Sequence, residues 1–374
     1  GPCGGGLMRM LAYVEDPGAA NWFVPMIAAM PGDDIILLAA GAAVGYLRDR
    51  GLEVLDVSEE TQAGDLLSRH APGLVVSGTS ENLESPGLAL IDAARDAGIP
   101  SAAPVDQAAN AQHRFRGTSD NPLRHAPDLV MVADDRAATA FAELGFAGSA
   151  VAVTGNPHHD RILSAAAGFE GQGREALRKA ALPEAGTRPV IIFLAEVGYA
   201  VNPEADRWNA TLNFEGRDGT APRCARMLEE LLDAMAQHSP RPWIVLRLHP
   251  KNTRDEFAAY LDEIDQVSEG GDPLALVWAA DLMVGMSGSL LEEAHLMGRP
   301  CLSILPYAVE RDWLPGIGSG AIPAVEHRSG LHARLNGPWQ ATPVSHRAGG
   351  AGAAMAEALH RLVAHHHGAG RQTA

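Results

Sequence analysis

The regular alternation of short apolar runs with helical patterns constrains the fold of this chain more than any other feature of its sequence. Strand-length runs lie at Met10–Val14, Ile35–Ala39, Glu53–Val57, Leu74–Ser77, Ser101–Val105, Leu129–Val132 and Ala150–Thr154. Stretches with apolar residues at helical spacing separate these runs, and Gly98 and Gly145 close two of the stretches. Strands that alternate with helices of this length predict a mostly parallel sheet covered by helices on both faces.

The alternation breaks at Gly155-Asn156-Pro157 and begins again at Pro189. In the second series we predict strands at Val190–Leu194, Trp243–Leu248, Leu274–Trp278, Leu282–Gly285 and Cys301–Ile304. The predicted helices are Arg174–Ala181, Arg223–Gln237, Arg254–Leu261, Leu290–Met297 and a last one at Gly349–His367. The fold class is therefore predicted as α/β, with two doubly wound Rossmann-like domains that face each other across a cleft.

We place the first domain at residues 1–157, the second at 158–348, and a C-terminal helix and tail at 349–374. The joint near Gly155–Pro157 is expected to act as a hinge, because glycine frees one backbone dihedral and proline fixes another. The polar segment 200–222 follows the first strand of the second series and has no helical or strand pattern. Loops of that length inside compact domains are usually functional or disordered.

The composition narrows the partners that the chain can have. A formal net charge of −17 argues against nucleic acid or an anionic membrane as the main partner. The sequence contains no run of about 18 or more apolar residues, so we expect no membrane span. Its three cysteines, Cys3, Cys224 and Cys301, include no CxxC pair. This fits a reducing compartment, and we expect a cytoplasmic protein without structural zinc.

One segment, Ala279–Arg299, carries the strongest local indication of a binding site. It is predicted as a short apolar strand, a turn of small residues, and a helix that carries Glu292 and Glu293. A turn that opens a helix leaves backbone N–H groups without intrahelical partners and adds the positive end of the helix dipole, so it suits phosphate. The alternative is an ordinary strand–turn–helix in which glutamate near the helix start complements the dipole.

Three motifs in the second half resemble those of a known superfamily. They are VTGNPHHD at Val153–Asp160, RLHP at Arg247–Pro250 and SGSLLEEAHLMGRPCLSI at Ser287–Ile304. In this order and spacing they are similar to the donor-binding half of GT-B type glycosyltransferases. They resemble in particular the non-hydrolysing UDP-N-acetylglucosamine 2-epimerases, which have the same fold.

The resemblance implies roles for individual residues. The turn residues Ser287, Gly288 and Ser289 would hold a nucleotide diphosphate. Glu293 would accept hydrogen bonds from the ribose hydroxyls, and His249 would face the cleft near the sugar or phosphate. Apart from the resemblance, we expect Arg247 or Lys251 to assist in stabilising the leaving group. His249 has a plain structural alternative, as a histidine that closes a strand before a proline. For Glu292 we prefer the interpretation of a solvated helix residue.

The first half departs from the epimerases. Their acidic motif after the fourth strand is replaced by SGTSENLE at Ser77–Glu84, and their glutamate-bearing strand end is matched only loosely by PVDQAANAQHRF at Pro104–Phe115. The opening DPGAANWF and the GTS loop are instead similar to bacterial polysaccharide or natural-product glycosyltransferases. The sequence therefore favours sugar transfer over epimerisation.

Transfer to an acceptor hydroxyl needs a general base. The candidates are Asp106, His113 and Asp16. Asp16 has an alternative role as the cap of the helix that follows it, and Asp106 as a loop carboxylate that pairs with His113. The pair Asp134-Asp135 is interpreted as a helix cap and not as a metal site, so we expect metal-independent stabilisation of the leaving group by a helix N-terminus.

The sequence thus predicts a GT-B type enzyme that moves a sugar from a nucleotide-diphosphate donor, expected to be UDP-linked, to a small-molecule or glycan acceptor. The donor is the substrate, and no other cofactor is expected. A UDP-sugar 2-epimerase-like isomerase, a phosphotransferase that uses a CDP-alcohol, and a non-catalytic nucleotide-sugar binding protein stay open as alternatives. The sequence leaves open the sugar, the acceptor, the stereochemical outcome and the oligomeric state.

Overall fold

The structure is a computed structural model that describes residues 8–59, 62–80, 82–106, 108, 110–197, 212–344 and 349–372. Of the predicted polar segment 200–222, residues 200–211 lie outside the described residues, and 212–222 form turns and irregular backbone. The chain divides into two compact units. The first is Gly1–Arg161 together with Gly349–Ala374, and the second is Ile162–Ala348.

The first unit is built on a parallel sheet of seven strands. These are β1 (Arg9–Val14), β2 (Asp34–Ala39), β3 (Leu55–Asp56), β4 (Leu74–Ser77), β5 (Ser101–Val105), β6 (Leu129–Val132) and β7 (Val151–Val153). Their order across the sheet is β3-β2-β1-β4-β5-β6-β7. Helices α1 (Pro17–Ala28), α2 (Ala42–Arg48), α3 (Ala63–His70), α4 (Pro86–Asp96) and α5 (Asp135–Glu143) connect them. The winding reverses between β1 and β4, which is the switch point of a doubly wound fold.

The second unit repeats this plan with six parallel strands. These are β8 (Val190–Leu194), β9 (Trp243–Arg247), β10 (Gln266–Ser268), β11 (Leu282–Gly285), β12 (Cys301–Ile304) and β13 (Ala324–Val325). Their order is β10-β9-β8-β11-β12-β13, so the switch point lies between β8 and β11. The predicted α/β class with two doubly wound, Rossmann-like units is confirmed.

The helices of this half begin with α6 (Pro157–Gln172), which runs from the end of the first unit into the second. The others are α7 (Arg174–Ala181), α8 (Arg223–Met235), α9 (Leu274–Ala279), α10 (Ser289–Leu296), α11 (Pro315–Gly318) and α12 (Arg328–Asn336). Strands β8, β9, β11 and β12 are buried along their whole length. Continuous apolar runs of this kind are typical of parallel strands covered on both faces.

Two parts of the secondary-structure prediction for the second unit are wrong. The run Leu274–Trp278 is the helix α9 and not a strand, because a short apolar run has no period that separates the two states. Leu274 and Val277, three residues apart on α9, are both buried. The edge strand beside β9 is β10, which the prediction missed because its three residues are only half-buried. The segment Arg254–Glu263 is a 3-10 helix.

The C-terminal helix, α13 (Ala351–Gln372), belongs to the first unit, whereas the prediction gave it a segment of its own. Its residues Met355 and Leu359 are fully buried and lie in the same apolar cluster as Trp22 and Phe23 of α1. The carboxylate of Asp160 accepts hydrogen bonds from the N–H groups of residues 349 and 351, at 2.8 and 2.9 Å, and so secures the start of the helix. Among the described residues, no helix is both long and apolar enough to cross a membrane.

Replacement of Leu359 by alanine tests the place of this helix in the core. We expect Leu359→Ala to destabilise the protein by about 2–5 kcal/mol, because a fully buried leucine leaves a cavity behind. His366→Ala, at an exposed position of the same helix, is the control. Thermal unfolding of both variants measures the difference. Equal melting temperatures for the two would show that α13 is not part of the core.

Candidate functional site

The carboxyl ends of three neighbouring strands in the second unit carry the residues of the candidate site. β8 lies between β9 and β11, and the switch point is on its β11 side. In open parallel sheets, ligands bind outside the carboxyl ends of the strands at such a point. The segments that follow these strands begin at Ala195, Leu248 and Met286, and they lie at one edge of the sheet.

The turn after β11 converges on a single oxygen atom. The backbone N–H groups of Met286, Ser287 and Gly288 donate to Oε1 of Glu196 at 3.1, 2.8 and 2.7 Å. We call these three N–H groups the amide nest. Gly288 is the N-cap of α10 and Ser289 its first residue, so the helix dipole adds to the attraction. The turn for which the sequence predicted a diphosphate therefore holds an anionic oxygen, which belongs to the protein itself.

Gly288 makes this close approach possible. A Cβ atom at this position would lie 3.0 Å from Oε1 of Glu196 and 3.2 Å from its Cγ and Cδ. Its backbone is extended, with φ at −76°, so the glycine is needed for the space and not for its dihedral freedom.

A buried arginine binds the other oxygen of Glu196. Arg223, the first residue of α8, places Nη2 at 3.2 Å from Oε2 of Glu196 and also pairs with Glu310. Its Nε donates to Oε1 of Glu310 at 2.8 Å, and the hydroxyl of Ser287 donates to Oε2 of Glu310 at the same distance. The nest is thus joined to a cluster of one guanidinium and two carboxylates.

Burial decides the electrostatics of this cluster. Burial alone would lower the pKa of Arg223, but the attraction of the carboxylates of Glu196 and Glu310 is stronger, so the pKa of Arg223 is raised. Glu310 is fully buried, and burial raises the pKa of its carboxyl against the attraction of Arg223. A charge in such surroundings is tolerated only with close partners, so Arg223 and Glu310 depend on each other.

His249 and Lys251 lie in the loop after β9. Nδ1 of His249 accepts the N–H of Lys251 at 3.1 Å, which leaves the ring proton of a neutral imidazole on Nε2. Asn252 donates to the backbone carbonyl of Glu196 at 3.3 Å and ties this loop to the end of β8. The structure therefore brings the RLHP motif and the amide nest to the same edge, on the two sides of Glu196.

The two glutamates of α10 differ from each other. Glu293, predicted to bind ribose, is buried with 8% of its surface exposed. The interpretation of Glu292 as a solvated residue is wrong. Its Oε2 accepts the N–H of Gly316 at 2.8 Å, and burial raises the pKa of its carboxyl. Glu292 thus joins α10 to the start of α11.

In the first unit the switch point joins Glu15, after β1, to Ser80, after β4. The carboxylate of Glu15 accepts the hydroxyl of Ser80 and, at 3.0 Å, that of Tyr13. Tyr13 is fully buried, and burial together with Glu15 raises its pKa. Asp16, the neighbouring base candidate, caps α1 by accepting the N–H of Gly18 at 2.8 Å. The role that the sequence left open as the alternative for Asp16 is therefore present in the structure.

The other two base candidates lie in the segment that follows β5. Asp106 directly follows the strand and forms an ion pair with Arg114, with Nη2 to Oδ1 at 3.3 Å. His113 ends the short 3-10 helix Ala111–His113 in the same segment. The catalytic roles of Asp106, His113 and Asp16 stay predictions.

Asp134 is the N-cap of α5 and accepts the N–H of Ala137 at 2.8 Å, as the sequence indicated. Within the described part of the chain, no group of three or more His, Cys, Asp or Glu side chains is arranged to hold a metal ion. Metal independence stays a prediction, since it concerns a reaction and not this arrangement.

Sequence reasoning missed Glu196, Arg223, Glu310 and Glu15. Two of them carried a readable signal, because Glu15 directly follows the buried apolar strand β1 and Glu196 follows the buried apolar strand β8 after Ala195 alone. Arg223 and Glu310 carried none. Arg223 is the first residue of α8 and Glu310 lies within the short 3-10 helix Ala308–Asp312, and only the fold brings them to Glu196.

Comparisons with known proteins agree with this architecture. The chain is similar to the UDP-GlcNAc 2-epimerase of Methanocaldococcus jannaschii, with a TM-score of 0.61, 15% identity, and 96% of this chain and 99% of that chain covered. The chain is also similar to the Neisseria meningitidis 2-epimerase, solved bound to UDP-GlcNAc, with a TM-score of 0.59 and 14% identity. The match covers 95% of this chain and 100% of that chain. For Anabaena HepE, solved in complex with UDP and glucose, the TM-score is 0.56 at 15% identity, and the match covers 98% of this chain and 99% of that chain.

No family model matches the chain, and no curated protein matches it. At 14–15% identity, the likeness to the solved structures concerns the fold alone. It confirms the GT-B-like fold class that the motifs indicated.

The raised pKa of Glu292 gives a test of its partly buried position. Its folded-state pKa lies above the ordinary value of 4.5, so its charged form costs stability at neutral pH. That cost disappears as the pH falls through the folded-state pKa and is absent below 4.5. Glu292→Gln keeps an oxygen acceptor for Gly316 and removes the charge. It should raise the melting temperature at pH 7, by about 2–4 °C for each kcal/mol recovered, but not below pH 4.5.

The control is Glu357→Gln, at an exposed position of α13. Melting curves from pH 4 to pH 8 compare the two variants with the parent protein. The same difference from the parent at every pH for Glu292→Gln would contradict the burial of a charge at this position.

Proposed function

We propose that the protein is an enzyme that acts on a UDP-linked sugar, with epimerisation at C2 of the sugar as its reaction. The single observation that carries the proposal is the amide nest, in which three N–H groups converge on one anionic oxygen at the switch point of the second unit. A phosphate oxygen has the charge and the acceptor capacity of that carboxylate oxygen. The nest is therefore suited to a diphosphate.

The surroundings of the nest support a nucleotide more than a free phosphate. Glu293 lies one helical turn beyond Ser289 and is the proposed acceptor for the ribose hydroxyls. His249, with its proton on Nε2, and the cationic Lys251 are the proposed donors to phosphate or sugar. The 2-epimerase of Neisseria meningitidis, which has the same fold, was solved bound to UDP-GlcNAc. This likeness is the reason for proposing uridine as the base.

Epimerisation is placed before sugar transfer because two of the similar structures reported above are UDP-GlcNAc 2-epimerases. Inversion at C2 breaks a C–H bond and forms it again, which needs groups that accept and return a proton. The first unit offers Asp106, His113 and Asp16 as predicted, and Glu15 in addition, at or after the carboxyl ends of its strands. We propose that the proton carrier is one of these four residues.

Transfer of the sugar to an acceptor is the second candidate, and one observation favours it. The loop after β4 begins with Gly78, Thr79 and Ser80, so hydroxyl groups stand directly at the strand end where the resemblance would require an acidic residue. The carboxylate of Glu15, after β1, accepts the hydroxyl of Ser80 in this loop. Transfer needs only one base, which a single carboxylate can supply.

The reaction is tested by incubating the protein with UDP-GlcNAc in D2O. We expect deuterium at C2 of the sugar and appearance of the C2 epimer, followed by NMR. Gly288→Val is the matched variant, since its side chain would fill the space above the nest, and it should lose the exchange. UDP release that depends on an added acceptor, without exchange, would replace epimerisation by transfer. The proposal is refuted if the parent protein catalyses neither reaction and does not bind UDP.

The nucleotide site is tested by titration calorimetry with UDP. Glu293→Ala should weaken UDP by about tenfold or more, because a carboxylate that accepts from hydroxyls contributes about 1.5–3 kcal/mol. Glu292→Gln, one position earlier on the same helix, should change the affinity little. Glu293→Gln keeps the volume of the buried side chain and controls for a loss of fold. Equal affinity in Glu293→Ala and the parent would remove Glu293 from the site.

A further inference from the structure

The residue that fills the amide nest is itself informative. We propose that Glu196 is a specificity-determining residue: it occupies the nest in the free protein, excludes single oxyanions, and yields only to a diphosphate. The inference rests on the proposed function, because it concerns the same nest. It goes further by saying which ligands the nest rejects and why.

The hydrogen bonds leave no room for a shared occupancy. Each backbone N–H has one hydrogen, and the three of the nest all point to Oε1 of Glu196 at 2.7–3.1 Å. Oε2 of the same side chain binds Arg223 at 3.2 Å, and the side chain is only 14% exposed. A phosphate oxygen can take these three bonds only after Glu196 has left them.

The charges point the same way. Arg223 already lies between the carboxylates of Glu196 and Glu310. A phosphate that entered beside them would place three anionic groups around one guanidinium, with a strong mutual repulsion at this burial. Ligand entry is therefore an exchange, in which Glu196 leaves and Arg223 keeps Glu310.

Because the carboxylate of Glu196 is part of the chain, it competes with every free anion for the amide nest. An intramolecular group acts at an effective concentration on the order of millimolar or more, so a free anion must bind the nest more tightly than Glu196 does. Inorganic phosphate has only the nest to bind. A nucleoside diphosphate adds a second phosphate, a ribose and a base, and these further contacts drive the exchange. Glu196 thus lowers the affinity of the nest for every anion, and it makes binding selective for a nucleoside diphosphate over inorganic phosphate.

The experiment is titration calorimetry of the parent protein, Glu196→Ala and Glu196→Gln with UDP and, separately, with inorganic phosphate. If the nest is open in a tenth of the molecules or fewer, removal of the competitor tightens UDP by about tenfold or more. Inorganic phosphate, expected to be undetectable with the parent protein, should bind Glu196→Ala at millimolar concentration. Glu196→Gln keeps the shape of the side chain but not its charge, so its affinities for UDP and for phosphate should lie between those of the parent protein and those of Glu196→Ala.

Asp134→Asn is the matched control, because it also removes one carboxylate that accepts a backbone N–H, but in the other unit. It should change neither affinity. Circular dichroism and melting curves without ligand establish that each variant is folded, and Glu196→Gln keeps the test valid where Glu196→Ala is too unstable to titrate.

The outcomes separate this inference from the proposed function. Phosphate binding gained in the Glu196 variants, with no UDP binding in any protein, would support the role of Glu196 and refute the nucleotide site. UDP binding that is equal in parent and variants, with no phosphate binding gained, would overturn the role of Glu196 and leave the nucleotide site standing. No binding of either ligand to any protein would refute both.

Discussion

The convergence of three backbone N–H groups on one carboxylate oxygen is the interaction on which the second unit's candidate site depends. It requires the end of β8, which brings Glu196, and the end of β11, which brings the N–H groups of residues 286–288. These strands are neighbours only because the order β10-β9-β8-β11-β12-β13 reverses between them. A doubly wound sheet therefore creates both halves of the site at one place.

The remaining polar groups follow from the cost of burying this arrangement. Arg223 offsets the charge of Glu196, Glu310 offsets that of Arg223, and the hydroxyl of Ser287 returns from the turn to Glu310. Each group satisfies a neighbour that burial would otherwise penalise. The chain of contacts begins and ends at the amide nest, so a ligand that removes Glu196 changes the balance of the whole cluster.

Local patterns predicted the fold and part of the site. The alternating apolar runs predicted both doubly wound sheets, and the small residues at 287–289 predicted the turn and α10, since these depend on neighbours in sequence. Contacts between distant residues were beyond reach. Glu196 binds N–H groups 90–92 residues away, and nothing in its immediate sequence indicates that partner. The same reason explains why Glu292, whose partner is the N–H of Gly316, was taken for a solvated residue. The helix α9 was taken for a strand for a local reason, since a short apolar run has no period that separates the two states.

The central claim is that the amide nest binds a nucleoside diphosphate after Glu196 leaves it. A crystal structure of the protein with UDP tests this most directly. The account predicts a phosphate oxygen within about 3.2 Å of the N–H groups of Met286, Ser287 and Gly288, with the carboxylate of Glu196 withdrawn. UDP bound at another place, with Glu196 still in the nest, would contradict it.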